Sequence, residues 1–242
     1  MGNGSNLGAA LLAGTLSLAS AGASGAVLYS QLDNASNNGV PAQDFEPSID
    51  SYDSEGADDF VVPGGVANWT VTRVTNVSST GTAGAPATID VAIYNDNAGV
   101  PGGVRCSYAA VTPTSYTNAS TVTDLPTPCV LPPGKYWLGL QMNQNFTAAP
   151  GQGQYFWSNR LTQTNSPGVW RNPGNGFATG CTGFAPLTTC GVGGGSSPDL
   201  LFTIEGAIVN NAVPVPATGL PALFALIAGL GALVLRRLRS IV

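Results

Sequence analysis

The chain of 242 residues has no histidine, a single lysine (Lys135) and three glutamates (Glu46, Glu55 and Glu205). Those shortages remove much of the usual catalytic equipment. Without histidine no Ser-His or Cys-His pair can form, and neither a GxSxG nor an SxxK motif offers another way to activate a nucleophile. A glycoside hydrolase would need two carboxyl groups converging on one bond, for which so few glutamates are a poor source. We expect no enzyme. Zinc loses its commonest nitrogen ligand, and none of the four cysteines stands in CxxC spacing.

Charge is thin as well, at 9% of residues. Ahead of the C-terminal tail, five basic side chains (Arg73, Arg105, Lys135, Arg160 and Arg171) face thirteen acidic ones, a net charge of −8. Phosphate recognition needs clustered Lys and Arg, so nucleic acid is excluded as a partner. No basic residue precedes Arg73, and an N-terminal leader would therefore lack its positive n-region. The start otherwise reads as one: Leu7 to Leu18 is apolar and small, and Ala19-Ser20-Ala21 and Ser24-Gly25-Ala26 suit a small-residue cleavage site. We assign residues 1–26 to a signal peptide.

What the chain has in quantity is Gly (32) and Pro (18), with abundant Thr, Ser, Asn and Val. That composition fits short strands joined by turns. Ala87 to Tyr94 alternates, with Ile89, Val91 and Ile93 on one face, and Lys135 to Met142 does the same through Tyr136, Leu138, Leu140 and Met142. Further strands are expected at 68–77, 104–111, 154–159 and 200–205, with a proline-rich connection between Leu125 and Cys129. Asp33 to Gly56 reads as an irregular acidic arm and Ser166 to Ser197 as a long loop. The expected fold over residues 27–208 is all-β: an antiparallel β-sandwich, jelly-roll-like. Cys106, Cys129, Cys181 and Cys190 allow three pairings, of which local pairing is the simplest; an exported protein is expected to form disulfides.

Residues 209–218 form a linker and a proline motif, followed by an uncharged run from Ala217 to Leu235. As a helix those nineteen residues would span roughly 28 Å, the thickness of a bilayer core. We place a transmembrane helix at 219–235 and a basic cytoplasmic tail at 236–242, where Arg236, Arg237 and Arg239 favour the inner side. The order of Val213, Pro214, Val215, Pro216, Ala217 and Thr218, an apolar helix and terminal arginines resembles the sorting signal of exosortase-processed bacterial proteins, the PEP-CTERM class. Val215 stands where that class carries Glu. The resemblance covers about thirty residues and implies export, membrane insertion, an exosortase-like processing enzyme as partner and a final place at the cell envelope or outside. Asp58 to Pro63, Ile93 to Gly102 and Leu131 to Leu140 also resemble phrases in bacterial extracellular β-sandwich modules, which implies a fold and no site.

Two binding chemistries stand out. Asp58, Asp59 and Asp96 offer hard oxygen ligands for a structural Ca²⁺, against the alternative of a solvated arm and an ordinary Asx turn; no other cofactor is expected. Trp157, Trp170 and Tyr155, together with Phe177, lie in the turn-rich region and could stack on sugars, although core packing explains a strand Trp equally well. The expected function is a structural or adhesive role at the envelope or in the extracellular matrix. The alternative is a carbohydrate-binding module for extracellular polysaccharide.

Overall fold

The computed structural model describes residues 25–65, 67–79, 85–117, 119–146 and 153–210. Strands β1 (Ala26–Ser30), β2 (Ala35–Pro41), β3 (Gln43–Asp44), β4 (Glu55–Val62) and β5 (Ala67–Val77) are followed by β6 (Thr88–Asp96), β7 (Pro101–Val111) and β8 (Ser115–Thr117). Then come β9 (Ser120–Leu131), β10 (Gly134–Asn143), β11 (Phe156–Arg160), β12 (Val169–Arg171), β13 (Ala185–Pro186), β14 (Asp199–Leu200) and β15 (Phe202–Asn210). Helical structure among the described residues is limited to a 3₁₀ segment, Pro47–Tyr52, and a single turn, α1 (Leu187–Cys190).

The protein is all-β. A five-stranded antiparallel sheet runs β1-β15-β5-β9-β8, and a larger one runs β13-β12-β4-β10-β6-β7 with β3 lying parallel to the end of β10. A small third sheet is ordered β14-β11-β2. Trp69, Val71, Leu131 and Ile204 of the first sheet meet Phe60, Ile89, Ile93 and Leu138 of the second in one core. This two-layer packing is consistent with a β-sandwich. Cys106 on β7 bonds Cys129 on β9 and so staples one sheet to the other, while Cys181–Cys190 closes a short loop onto α1. Both pairings are the local ones, and disulfides point to an oxidising, extracytoplasmic compartment.

Bulges explain where simple alternation breaks. On β5, Trp69 and Val71 face inward and so do Val74 and Asn76, because the register shifts between Val71 and Arg73. One extra residue turns the following side chains to the opposite face. The partner strand absorbs more: Val71 lies opposite Cys129 and Arg73 opposite Asp124, so Leu125 to Pro128 bow out between them. Pro126 and Pro128, with no N–H to give to a ladder, sit in that bow, and the expected connection is the middle of a single strand.

Two other tracts are more ordered than composition implies. The arm contains β2, whose Ala-Ser-Asn-Asn-Gly sequence has little strand propensity but pairs along β11. The 166–197 tract holds β12, which extends the large sheet beyond β4. β10, central between β4 and β6, is buried on both faces, with Trp137 packed among Ala57, Tyr94 and Val169 on the side away from the main core. β1 opens at Ala26, assigned above to the leader, because it pairs with β15, and β15 continues through Val209 and Asn210, assigned to the linker, because it pairs with β5. No helix among the described residues is long and apolar enough to cross a membrane. The expected helix at 219–235 lies outside them, as do the leader up to residue 24, the motif from Val213 to Thr218 and Arg236, Arg237 and Arg239.

Candidate functional site

The expected sugar platforms are core residues. Trp157, Trp170 and Tyr155 are fully buried. Their polar atoms are spent on the fold: Trp157 Nε1 donates to Leu201 O at 2.8 Å and Trp170 Nε1 to Pro41 O at 2.6 Å. The Tyr155 hydroxyl accepts from Asn76 Nδ2 and pairs with Thr121 Oγ1, and burial pushes its pKa up to about 12. None of the three offers a ring face to solvent: all belong to the main core, Trp157 against Phe202 and Trp170 against Phe177. The packing alternative describes them.

The three aspartates do not gather around a cation either. As consecutive residues of β4, Asp58 and Asp59 point to opposite faces of the sheet. Asp59 Oδ2 lies 2.6 Å from Lys135 Nζ and accepts from Ser166 N at 3.0 Å. The same ammonium is 3.6 Å from Asp96 Oδ1, which also accepts from Trp137 Nε1 at 2.8 Å. The lysine, which also bonds Ser166 Oγ, thus occupies the position between two carboxylates that a metal would otherwise take. No group of three or more metal-ligating side chains forms among the described residues.

Asp58 serves the fold from the other face, where Oδ2 accepts from Gln31 Nε2 and Leu200 N, both at 2.7 Å. Burial, with the nearby Asp199 adding repulsion, holds its carboxyl well above the ordinary range. Burial also lifts Asp199 from 3.8 to about 6, against the opposing pull of N–H bonds from Thr164 and Gly168 and of Arg160. Both pKa values are raised relative to the unfolded chain, so the folded state binds more protons. The stabilising contribution of Asp199 is complete below about pH 4 and is lost as pH rises through about 6, and Asp58 acts in the same direction. We expect a higher thermal midpoint at pH 5 than at pH 7.5, with Asp199→Asn flattening the difference; an unchanged midpoint would contradict this.

The open concavity is elsewhere. Phe45, Ile49, Tyr52, Phe146, Gln154 and Phe177 line a cleft of about 340 Å³. Phe45 also borders a second, polar hollow of about 610 Å³ that carries Asp44, Glu46, Asn143, Gln144 and Asn145. The ring-lined groove and this more polar hollow share Phe45 as a wall. Phe146 and Tyr52 remain 49% and 39% exposed.

Local hydrogen bonds fix the walls at Phe45 and Phe177, and one from a distant segment fixes Phe146. Phe45 N donates to Asp53 Oδ1 at 2.8 Å, Phe146 N to Glu46 Oε2 at 2.6 Å and Phe177 N to Asn172 Oδ1 at 3.1 Å. Asn172 Nδ2 in turn donates to Ser51 O and Asp53 O, and Gly176 N to Ser51 O, which docks the 3₁₀ arm onto the loop. Cβ atoms at Gly174 or Gly176 would fall 2.5 or 2.6 Å from Ser51 backbone, so only glycine permits that approach. The rings meet edge to face, Tyr52 against Phe177 at 5.1 Å and Phe45 against Phe146 at 6.3 Å.

Of the aromatics singled out from the sequence, Phe177 alone lines this groove. Phe45, Tyr52 and Phe146 were missed, although rings placed in polar stretches without strand alternation were a usable signal. No family model matches the chain, and no curated protein or solved structure shows significant similarity to it.

Proposed function

We propose that the chain is an exported cell-envelope or extracellular-matrix protein whose jelly-roll-like β-sandwich works by contact, in a structural or adhesive role, without catalysis. In this reading the leader directs export, the helix at 219–235 holds the precursor in the inner membrane, and an exosortase-like enzyme recognises Val213 to Thr218. The observation that carries the contact role is the groove, whose exposed rings Phe146 and Tyr52 are held by Glu46 and against Phe177. A pre-ordered apolar cleft with a few polar groups is the usual form of a binding site. The disulfide joining the sheets and the order of motif, apolar run and arginines support export.

Adhesion is tested by Tyr52→Ala and Phe146→Ala, whose exposed positions spare the core. Each is expected to lower surface or matrix retention several-fold while the thermal midpoint moves by less than about 3 °C. Unchanged retention in the double variant would overturn the contact role of the groove. Sorting is tested by mass spectrometry of the mature protein, and an intact Arg236-Arg237 terminus would count against processing.

The same groove favours the second reading, a carbohydrate-binding module. Aromatic rings beside carboxylates and amides provide both stacking surface and hydroxyl partners. A glycan array with the full-length protein addresses it directly: no glycan retained would remove this reading.

A further inference from the structure

We infer that the end of the sandwich from which β15 leaves is a membrane-resting face, which lays aliphatic side chains on the lipid surface while the tail is inserted. This rests on the reading of 219–235 as a membrane helix and adds what the folded domain does beside it. Val27, Val130, Ile208 and Val209 are 62, 45, 61 and 47% exposed. The ladders bring them to one place. Ile208 and Val209 pair with Trp69 and Asn68, Ala207 pairs with Thr70, and Thr70 pairs on its other side with Val130. Val27, Ala207 and Ile208 border one open hollow of about 640 Å³ together with Gly206 and Thr72, and among the described residues no ionisable side chain lines it. Single exposed aliphatics are ordinary on a protein surface, whereas a cluster of them marks a contact.

The course of the chain selects lipid as the covering surface. β15 ends at Asn210, beside the cluster, and the uncharged run begins at Ala217. The residues between them reach about 25 Å at full stretch, so a bilayer that holds 219–235 stays within that reach of Val209. Tethering makes the contact intramolecular, and side chains too few to bind a free domain to lipid suffice to seat an attached one. Charge agrees with this placement. Arg105 donates from Nε and Nη2 to Val130 O, which sets its guanidinium beside the cluster, and among the described residues it has no ion pair. A lipid phosphate would supply the partner. The acidic side chains Asp44 and Asp90 lie at the other end, opposite Asn143 and Gln141 in the last residues of β10. β10 starts near the cluster, because Leu131, opposite Trp69, is joined to Gly134 by two prolines. The strand rise puts those carboxylates roughly 25 Å from the lipid-facing end.

All four cysteines are paired, so a single introduced cysteine can carry a fluorophore at a chosen site. The test labels the full-length protein at Val130→Cys, Ile208→Cys, Tyr52→Cys or Ala225→Cys, in vesicles of phosphatidylcholine and phosphatidylglycerol with a nitroxide at the headgroup or deep in the acyl chain. The headgroup nitroxide is expected to quench labels at 130 and 208 several-fold more strongly than the label at 52, in the distant groove, and the deep nitroxide to quench the label at 225. Ile208→Asn with Val209→Asn, both exposed positions, should lower quenching at 130 several-fold and leave that at 225 unchanged; no change at 130 would overturn the apolar contact. Quenching at 225 without quenching at 130 and 208 would overturn the resting face and leave the membrane helix standing. Absence of quenching at 225 would overturn the two together. Equal quenching at 52 and 130 would show a domain with no preferred face and overturn the inference. A label at 130 that is blue-shifted but unquenched by lipid would assign the cluster to a second copy of the chain and overturn the choice of lipid.

Discussion

Replacement of Lys135 by methionine is expected to lower the unfolding free energy by about 3–5 kcal/mol, more than its position near the surface implies. Asp59 has no solvent exposure, and its Oδ2 lies 2.6 Å from the lysine nitrogen. Methionine would keep the stem and its contact with Trp137, whose ring centre is 5.3 Å from the ammonium, but would leave a buried carboxylate facing only Asn165 and Ser166. The cost is that of an uncompensated buried charge and differs from the net worth of the pair. Asp59→Asn in the Lys135→Met background should therefore return most of the loss. A chemical-denaturation cycle over the four proteins measures this, and additive single losses would show that the pair is not the cause.

The second large effect concerns the bond between the sheets. Converting Cys106 and Cys129 to alanine opens a loop whose ends are 23 residues apart in sequence. The chain-entropy relation gives about 3 kcal/mol for a loop of that size, or roughly 6–12 °C in thermal midpoint for a domain of this length. The Cys181–Cys190 loop spans 9 residues, so its removal should cost less. Cys129 is fully buried, and alanine avoids placing a hydroxyl there. If the two double variants melted together, the staple between sheets would hold no special place in the stability of the domain.

Much of the fold was legible because it depends on local alternation. Ile89, Val91 and Ile93 declare a face of β6, and Leu138, Leu140 and Met142 a face of β10, and both faces are buried as read. Local pairing was the simplest of the three that four cysteines allow, and both bonds are local. The rest depends on contacts between distant segments. Trp157 and Trp170 look available in a turn-rich tract, and only the strands packed around them make them core. Asp58 and Asp59 look like oxygen ligands until the chain brings Gln31, Leu200 and Lys135 to them. The groove was least legible of all: its rings come from three separated segments, and tertiary docking brings them together.

The place of β15 has a mechanical consequence. Its last residues pair with Asn68 and Ala67 on one side, and its earlier ones with β1 on the other. A pull applied at Asn210 runs along the strand axis, so the ladder bonds to β5 bear the force together, as in shear, and do not open one after another. Force passed on from β5 to β9 reaches Cys129, whose covalent bond to Cys106 carries it into the second sheet. A domain tethered through this strand would resist extraction more strongly than its equilibrium stability alone would predict.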